Sequence, residues 1–131
     1  MEVSRILETC LYVTDLDQAD DFYQRVLGLK SFSRLDQRHL FFRCGNQVLL
    51  LFKASETQKD SSEVPPHGMS GQGHVAFSMT ETDLEKWRTH LQECNVPIER
   101  EIAWAGGGKS IYFRDPSGNS LELVTPETWE L

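Results

Sequence analysis

Apolar and polar residues alternate along eight short stretches of the chain, which is the pattern of β-strands with one covered face. Two further segments carry apolar residues every three or four positions, as amphipathic helices do. The first predicted helix follows capping residues at 14–17 and ends at Gly28, and the second follows a capping box at 82–85 and ends at Asn95. The predicted strands are 5–13, 29–35, 39–44, 47–53, 73–79, 97–104, 110–114 and 120–124.

The predicted elements form the order strand–helix–strand–strand–strand twice. The segment Leu40-Phe-Phe-Arg43 matches Ile111-Tyr-Phe-Arg114, and both are followed by a Gly-Asn turn. A repeat of this length indicates a duplicated unit, since neither half alone could cover its sheet. We therefore predict a single domain over 1–131, with module one at about 5–53, a polar linker or lid at about 54–71 and module two at about 72–125.

The last predicted hairpin shows which residues face away from the helices. Leu121 and Leu123 alternate with Ser120 and Glu122, so Glu122 points to the face opposite the leucines. With Leu7, Leu11 and Val13 of the first strand assigned to the helix face, the same alternation predicts a set of polar side chains on the other face: Glu8, Tyr12, His74, Ser110, Tyr112 and Glu122. Two carboxylates and an imidazole on one face are costly unless they are solvated or bind a cation.

Both explanations of that polar face stay open at this point. A glutamate in a strand is usually exposed to solvent, and a single histidine is usually a surface or hydrogen-bonded residue. Glu8 and His74 occupy corresponding places in the two repeats, each on the first strand of its module. This correspondence argues against a chance arrangement. A divalent metal site built from these residues is the alternative that the repeat favours.

Composition and charge limit the classes of function. The chain has 131 residues and a net charge of −7, with no basic cluster, which argues against partners such as nucleic acid or anionic membrane. No apolar run approaches the roughly 20 residues that span a bilayer. The N-terminal residues lack the pattern of a signal peptide, and three unclustered cysteines suit a reducing cytoplasm, so we predict a cytoplasmic protein.

Three motifs resemble those of the vicinal oxygen chelate superfamily, which contains glyoxalases, bleomycin-resistance proteins and extradiol dioxygenases. They are an FYxxxLG motif at 22–28, the segment Gly73-His-Val-Ala-Phe77 and a DPxGxxxE motif at 115–122. The resemblance covers nearly the whole chain. It implies an α+β fold of paired βαβββ modules that form an open eight-stranded cup, and it implies a homodimer.

The resemblance also implies a divalent metal (Mn, Ni, Fe, Zn or Mg) held by Glu8, His74 and Glu122. A fourth ligand found in glyoxalase I would stand at Leu49 or Leu50, where no metal ligand is present. The implied activity is that of an enzyme, a lyase, isomerase or transferase, in which the ion acts as a Lewis acid on a small substrate with adjacent oxygens.

The roles that follow from this activity are divided between two groups of residues. Glu122 or Glu8 would move a proton, and the residues expected to contact substrate are Tyr12, Ser110, Tyr112 and Lys109. The alternative function is a metal-free binding protein of the bleomycin-resistance type, in which Trp104, Tyr12 and Phe52 would stack on an aromatic or cationic ligand.

Overall fold

The computed structural model describes residues 1–60 and 63–131, and the chain divides into two compact units, 1–71 and 72–131. Within the described residues, no helix is long and apolar enough to span a membrane. The three cysteines, all in the described part of the chain, form no disulfide.

The first unit is a four-stranded sheet with one helix on it. Strands β1 and β4 are parallel, and the other neighbours are antiparallel, in the order β1-β4-β3-β2. A one-turn helix, α2, follows the last strand. The elements are β1 (Glu8–Tyr12), α1 (Leu16–Arg25), β2 (Lys30–Leu35), β3 (His39–Cys44), β4 (Gln47–Phe52) and α2 (Ala54–Thr57).

The second unit repeats this topology, with the strand order β5-β8-β7-β6 and β5 parallel to β8. Its elements are β5 (His74–Ser78), α3 (Leu84–Glu93), β6 (Arg100–Ala103), β7 (Lys109–Arg114) and β8 (Ser120–Val124). Short 3-10 turns lie at Glu81–Asp83 and Pro126–Trp129. The predicted α+β fold of two βαβββ units is confirmed.

Each unit buries the helix-facing side of its sheet. Helix α1 begins at the N-cap Asp15, whose carboxylate accepts hydrogen bonds from the N–H groups of Asp17 and Gln18. Gly28, at φ 65°, lies just beyond the end of this helix, as predicted. The buried side chains include Leu16, Phe22, Tyr23, Leu40, Phe42, Leu49 and Leu51 in the first unit, and Leu84, Leu91, Ile111, Phe113, Leu121 and Leu123 in the second.

Three predicted boundaries are wrong, and the physical reasons are local. Leu7 precedes β1 and is 58% exposed, because strand pairing begins only at Glu8. Thr82 does not cap the second helix. Instead, Asp83 N–H bonds to the carbonyl of Thr80 and closes a 3-10 turn before the helix begins at Leu84. The strand predicted at 97–104 is confined to Arg100–Ala103.

The segment predicted as a polar linker, 54–71, is partly ordered against the first unit. It begins with α2, buries Thr57 and bonds the His67 N–H to the Thr57 carbonyl. Residues 61 and 62 of this segment lie outside the described residues.

The turn between β7 and β8 is tied to the residue that precedes His74. The Asp115 carboxylate accepts hydrogen bonds from the Asn119 amide side chain and from the backbone N–H groups of Ser117 and Asn119, each at 2.9 Å. The Asn119 side-chain oxygen accepts from Gly73 N–H at 2.8 Å. Because Asp115 and Asn119 are both buried, these bonds fix the start of β5 beside β8.

We predict that Asn119→Ala lowers the free energy of unfolding by about 2–3 kcal/mol, because it leaves the Gly73 N–H and one Asp115 carboxylate oxygen without these partners. Urea denaturation followed by circular dichroism measures this. The matched control is Gln92→Ala, an exposed position on α3, with an expected change below about 0.5 kcal/mol. Equal midpoints for the two variants would contradict the structural role of Asn119.

Candidate metal centre

The ring of His74 has one nitrogen committed to the backbone. Its Nδ1 lies 3.0 Å from the carbonyl oxygen of Ser120, the residue opposite it in the parallel β5–β8 ladder. A carbonyl oxygen can only accept, so Nδ1 carries the hydrogen of this bond. In the neutral ring, Nε2 is then left with a free lone pair.

That lone pair faces the carboxylate of Glu122. The distance from His74 Nε2 to Glu122 Oε2 is 3.3 Å, and Glu122 is only 7% exposed. A neutral imidazole nitrogen and an ionised carboxylate are both acceptors, so their contact is favourable only with a shared cation. That cation is either a second proton on the ring or a metal ion.

Tyr112 is the third residue beside His74 and Glu122. It lies directly opposite Glu122 in the antiparallel β7–β8 pair. Burial raises the pKa of Tyr112. The neighbouring Glu122 carboxylate raises this pKa further, whereas the Ser110 hydroxyl lowers it. The net shift is upward, so Tyr112 is a protonated phenol at neutral pH.

Two of the predicted substrate contacts already have partners within the second unit. Ser110 is 1% exposed, and its hydroxyl oxygen accepts a hydrogen bond from the Trp104 indole at 2.8 Å. The Lys109 ammonium lies 2.6 Å from the Glu81 carboxylate. Neither residue presents an unoccupied group toward an anionic ligand.

The register of the two sheets gives the correspondence between the units. Glu8 is the first residue of β1 and pairs with Val48, just as His74 is the first residue of β5 and pairs with Ser120. Leu50 therefore stands in the first unit where Glu122 stands in the second. Of the two leucines considered for the fourth ligand, Leu50 is the equivalent one.

Among residues 1–60 and 63–131, no group of three or more His, Cys, Asp or Glu side chains that could hold a metal ion is found. The structure brings His74 and Glu122 together as a pair. Glu8 is exposed at the start of β1, and its place in the ligand set stays a prediction.

The first unit carries an aromatic cluster of which the sequence analysis named only Tyr12 and Phe52 as ligand-stacking residues. His39 stacks on Phe41 with ring centroids 4.0 Å apart, and Phe52 packs edge-on against Phe41 at 5.4 Å and His67 at 4.8 Å. The Tyr12 hydroxyl lies 2.6 Å from His67 Nδ1. The alternation in β1, β3 and β4 could have identified all of these residues except His67, which lies in the segment interpreted as linker.

Arg38 fixes the protonation of His39 in this cluster. Its guanidinium, which can only donate, lies 2.9 Å from His39 Nδ1, and it also lies over the ring of Phe52. Burial lowers the pKa of His39, and the positive charge of Arg38 lowers it further. At the register positions of Glu122 and Tyr112, the first unit therefore carries the apolar side chains of Leu50 and Phe41.

A sequence model of the Glyoxalase/Bleomycin resistance protein/Dioxygenase superfamily matches residues 5–123. The chain belongs to this superfamily. The membership that the three motifs predicted is confirmed.

Individual superfamily members extend the comparison. The chain is 32% identical over 117 residues to metallothiol transferase FosB of Shouchella clausii, covering 86% of this chain and 74% of the relative. It is 31% identical over 113 residues to glutathione transferase FosA of Serratia marcescens, covering 86% of this chain and 74% of that relative. A crystal structure of lactoylglutathione lyase from Agrobacterium tumefaciens has 37% identity and a TM-score of 0.96 over 100% of both chains. These homologues are named as enzymes of transferase and lyase types, consistent with the predicted enzyme.

We predict that the His39 pKa lies below 6.5 and moves up, though not fully to 6.5, in Arg38→Met, because burial remains. Since the unfolded chain binds this proton more readily, the associated stability is present above about pH 6.5 and is lost as pH falls through the folded-state pKa. An NMR titration of the ring proton measures the shift. The control is Arg43→Met, four residues beyond His39 on β3, which should leave the midpoint of the His39 titration unchanged. A wild-type midpoint at or above 6.5 would disprove this assignment.

Proposed function

We propose that the chain is a divalent-metal-dependent enzyme that acts on a small substrate carrying two adjacent oxygens. The observation that carries this proposal is the contact of His74 Nε2 with the nearly buried Glu122 carboxylate, which requires a cation between them. The bond from His74 Nδ1 to a backbone carbonyl adds support, since metal-binding histidines almost always donate their other ring N–H in this way.

The donor set fits a divalent ion of the first transition series. An imidazole nitrogen with carboxylate oxygens suits Mn, Fe, Ni or Zn, whereas Mg prefers a shell made only of oxygen. His74 and Glu122 would hold the ion together with Glu8, which the repeat and the family resemblance both suggest as a ligand. When bound, the ion supplies Lewis-acid polarisation of a substrate oxygen.

The surroundings of the two carboxylates suggest different roles for them. Glu122 is buried, contacts His74 and lies opposite Tyr112 in the β7–β8 pair, so its surroundings restrict its orientation. Glu8 is exposed at the end of a strand. We therefore assign the fixed ligand to Glu122 and the movement of a substrate proton to Glu8.

The names of the relatives point to a thiol in the reaction. The two transferases and the lyase are named for a metallothiol, glutathione and lactoylglutathione, respectively. We propose a thiol or a thiol conjugate as co-substrate or substrate. Leu50 weighs against the four-ligand site of glyoxalase I. A cationic pocket for an anionic substrate group gains no support in the second unit, because Lys109 and Arg114 are paired with Glu81 and Glu99.

A metal-free binding protein is the second candidate, and the aromatic cluster of the first unit favours it. Half-exposed rings such as those of Tyr12 and Phe41 could stack on an aromatic ligand. A metal-free binding function gives no role to the contact between His74 and Glu122, so we prefer the enzyme. The proposed assembly is the homodimer that the family resemblance implies.

We expect protein purified without chelator to bind about one equivalent of a transition metal. His74→Gln and Glu122→Gln should weaken Mn²⁺ binding by at least about 100-fold, because the first removes the imidazole nitrogen and the second the carboxylate charge. Elemental analysis and titration calorimetry measure this. Glu101→Gln is the matched control, since this glutamate pairs with Arg88 instead.

The same experiment tests Glu8. If it is a ligand, Glu8→Gln weakens Mn²⁺ binding as the other two substitutions do. Metal binding that is indifferent to Glu122→Gln would rule out the enzyme proposal and favour the metal-free binding protein.

A further inference from the structure

Arg38 is a half-buried cation of the first unit. Its guanidinium donates one hydrogen bond, to His39 Nδ1 at 2.9 Å, and lies over the ring of Phe52 with 5.6 Å between Cζ and the ring centroid. Within residues 1–60 and 63–131 it has no carboxylate partner. A guanidinium carries five N–H donors, so most of those of Arg38 are available to a ligand.

The missing carboxylate is unusual in so acidic a chain, whose net charge is −7. Arg34, Arg88 and Arg114 all form ion pairs with aspartates or glutamates. Glu8 lies on the same sheet face as Tyr12 but four residues earlier on β1, which is about 13 Å away at 3.3 Å per residue. The positive charge of Arg38 is therefore held by aromatic neighbours and is not neutralised by an acidic one.

Aromatic rings surround this guanidinium on the sheet face opposite α1. Tyr12, Phe52 and His39 are direct neighbours in the register across β1, β4 and β3. His39 stacks on Phe41 with an interplanar angle of 11°, and His67 packs edge-on against Phe52. Tyr12, His39, Phe41 and His67 are half-buried, so each keeps part of its ring accessible. The surface can thus receive a flat apolar group beside a positive charge.

The contact between Arg38 and His39 determines which ligand charge this surface accepts. Because Nδ1 accepts from Arg38, the hydrogen of the neutral ring is on Nε2. Nε2 lies 3.5 Å from Ser33 Oγ, at the outer limit for a hydrogen bond. The polar groups that border the rings are therefore N–H donors and one full positive charge. Such a border repels the cationic ligand that aromatic rings alone would accept, and it attracts an anion.

We propose that this face of the first unit binds a small aromatic carboxylate, with the carboxylate on Arg38 and the flat body against the rings of His39 and Phe41. A carboxylate fits the fork of a guanidinium through two parallel hydrogen bonds. The flat body gains stacking energy from the rings. The site needs no metal ion, so the inference goes beyond the proposed function and does not depend on it.

Cinnamate is the probe for this site, and the neutral cinnamamide, which has the same flat body, is the matched control ligand. The full chain is freed of metal with a chelator and then dialysed, so that no metal ion can hold the carboxylate. NMR follows the ring signals of the four histidines, and His39→Gln identifies the His39 signal by its loss. We expect cinnamate to shift the His39 signal, to leave that of His90 on α3 in place, and to bind at least about 10-fold more tightly than cinnamamide.

Substitution of Arg38 separates the charge from the apolar contacts. Arg38→Met keeps an aliphatic chain and removes the donors, so we expect cinnamate to bind at least about 10-fold more weakly and cinnamamide to change by less than about 2-fold. The matched control is Arg43→Met. Arg43 lies over the ring of Phe32, also without a carboxylate partner in the described part of the chain, and its loss should change cinnamate binding by less than about 2-fold. Phe41→Leu should weaken both ligands about 5-fold.

Four outcomes would contradict the proposal. They are equal affinity for cinnamate and cinnamamide, binding of neither, equal losses in Arg38→Met and Arg43→Met, and a cinnamate-induced shift confined to the His74 signal. Tighter binding of the cation cinnamylammonium than of cinnamate would also contradict it, because the rings and not Arg38 would then select the ligand. Mn²⁺ binding by His74 and Glu122 is measured separately, so either proposal can fail while the other stands.

Discussion

The hydrogen bond between the His74 ring and the Ser120 carbonyl is the constraint on which the site depends. It commits Nδ1 and leaves Nε2 facing a carboxylate that is largely removed from water. The bond exists because β5 and β8 are parallel neighbours in one register. The buried Asn119, which accepts from the N–H of the residue before His74, holds that register at the end where the site lies. Core packing, turn chemistry and site geometry are thus linked through a few residues.

The two units have the same topology and different chemistry. At corresponding positions of the open faces, Leu50 replaces Glu122 and Phe41 replaces Tyr112. Strands allow this because alternate residues point to opposite faces, so the covered face can keep its leucines and phenylalanines while the other face changes. The second unit thereby carries the contact between His74 and Glu122, and the first carries an aromatic surface with a histidine whose pKa is lowered. Function in this fold is set by such substitutions and not by the topology.

Much of this arrangement follows from the sequence alone. Alternation around Leu121 and Leu123 predicts the face of Glu122, and the repeat predicts that His74 lies on the first strand of its module. That this strand is the neighbour of the Glu122 strand came from the structure. The choice between Leu49 and Leu50 needed the observed register, because a shift of one residue exchanges the two faces.

The contacts around His74 and Glu122 could not be predicted from the alternation of apolar and polar residues. Ser110 and Lys109 have partners, Trp104 and Glu81, that come from outside the regular strands. Those contacts depend on backbone conformations such as the positive φ of Gly107 and the close approach of Gly108 to Thr128. Local hydrophobic periodicity carries no information about such approaches.

The most direct test of the central claim is a crystal structure of the protein grown with Mn²⁺, with the ion located by its anomalous scattering. The account predicts one strong peak at about 2.0–2.3 Å from both His74 Nε2 and a Glu122 carboxylate oxygen, with the Nδ1 bond to Ser120 retained. A peak elsewhere, or no peak at full Mn²⁺ with His74 and Glu122 still in contact, would show that the pair shares a proton and does not hold a metal.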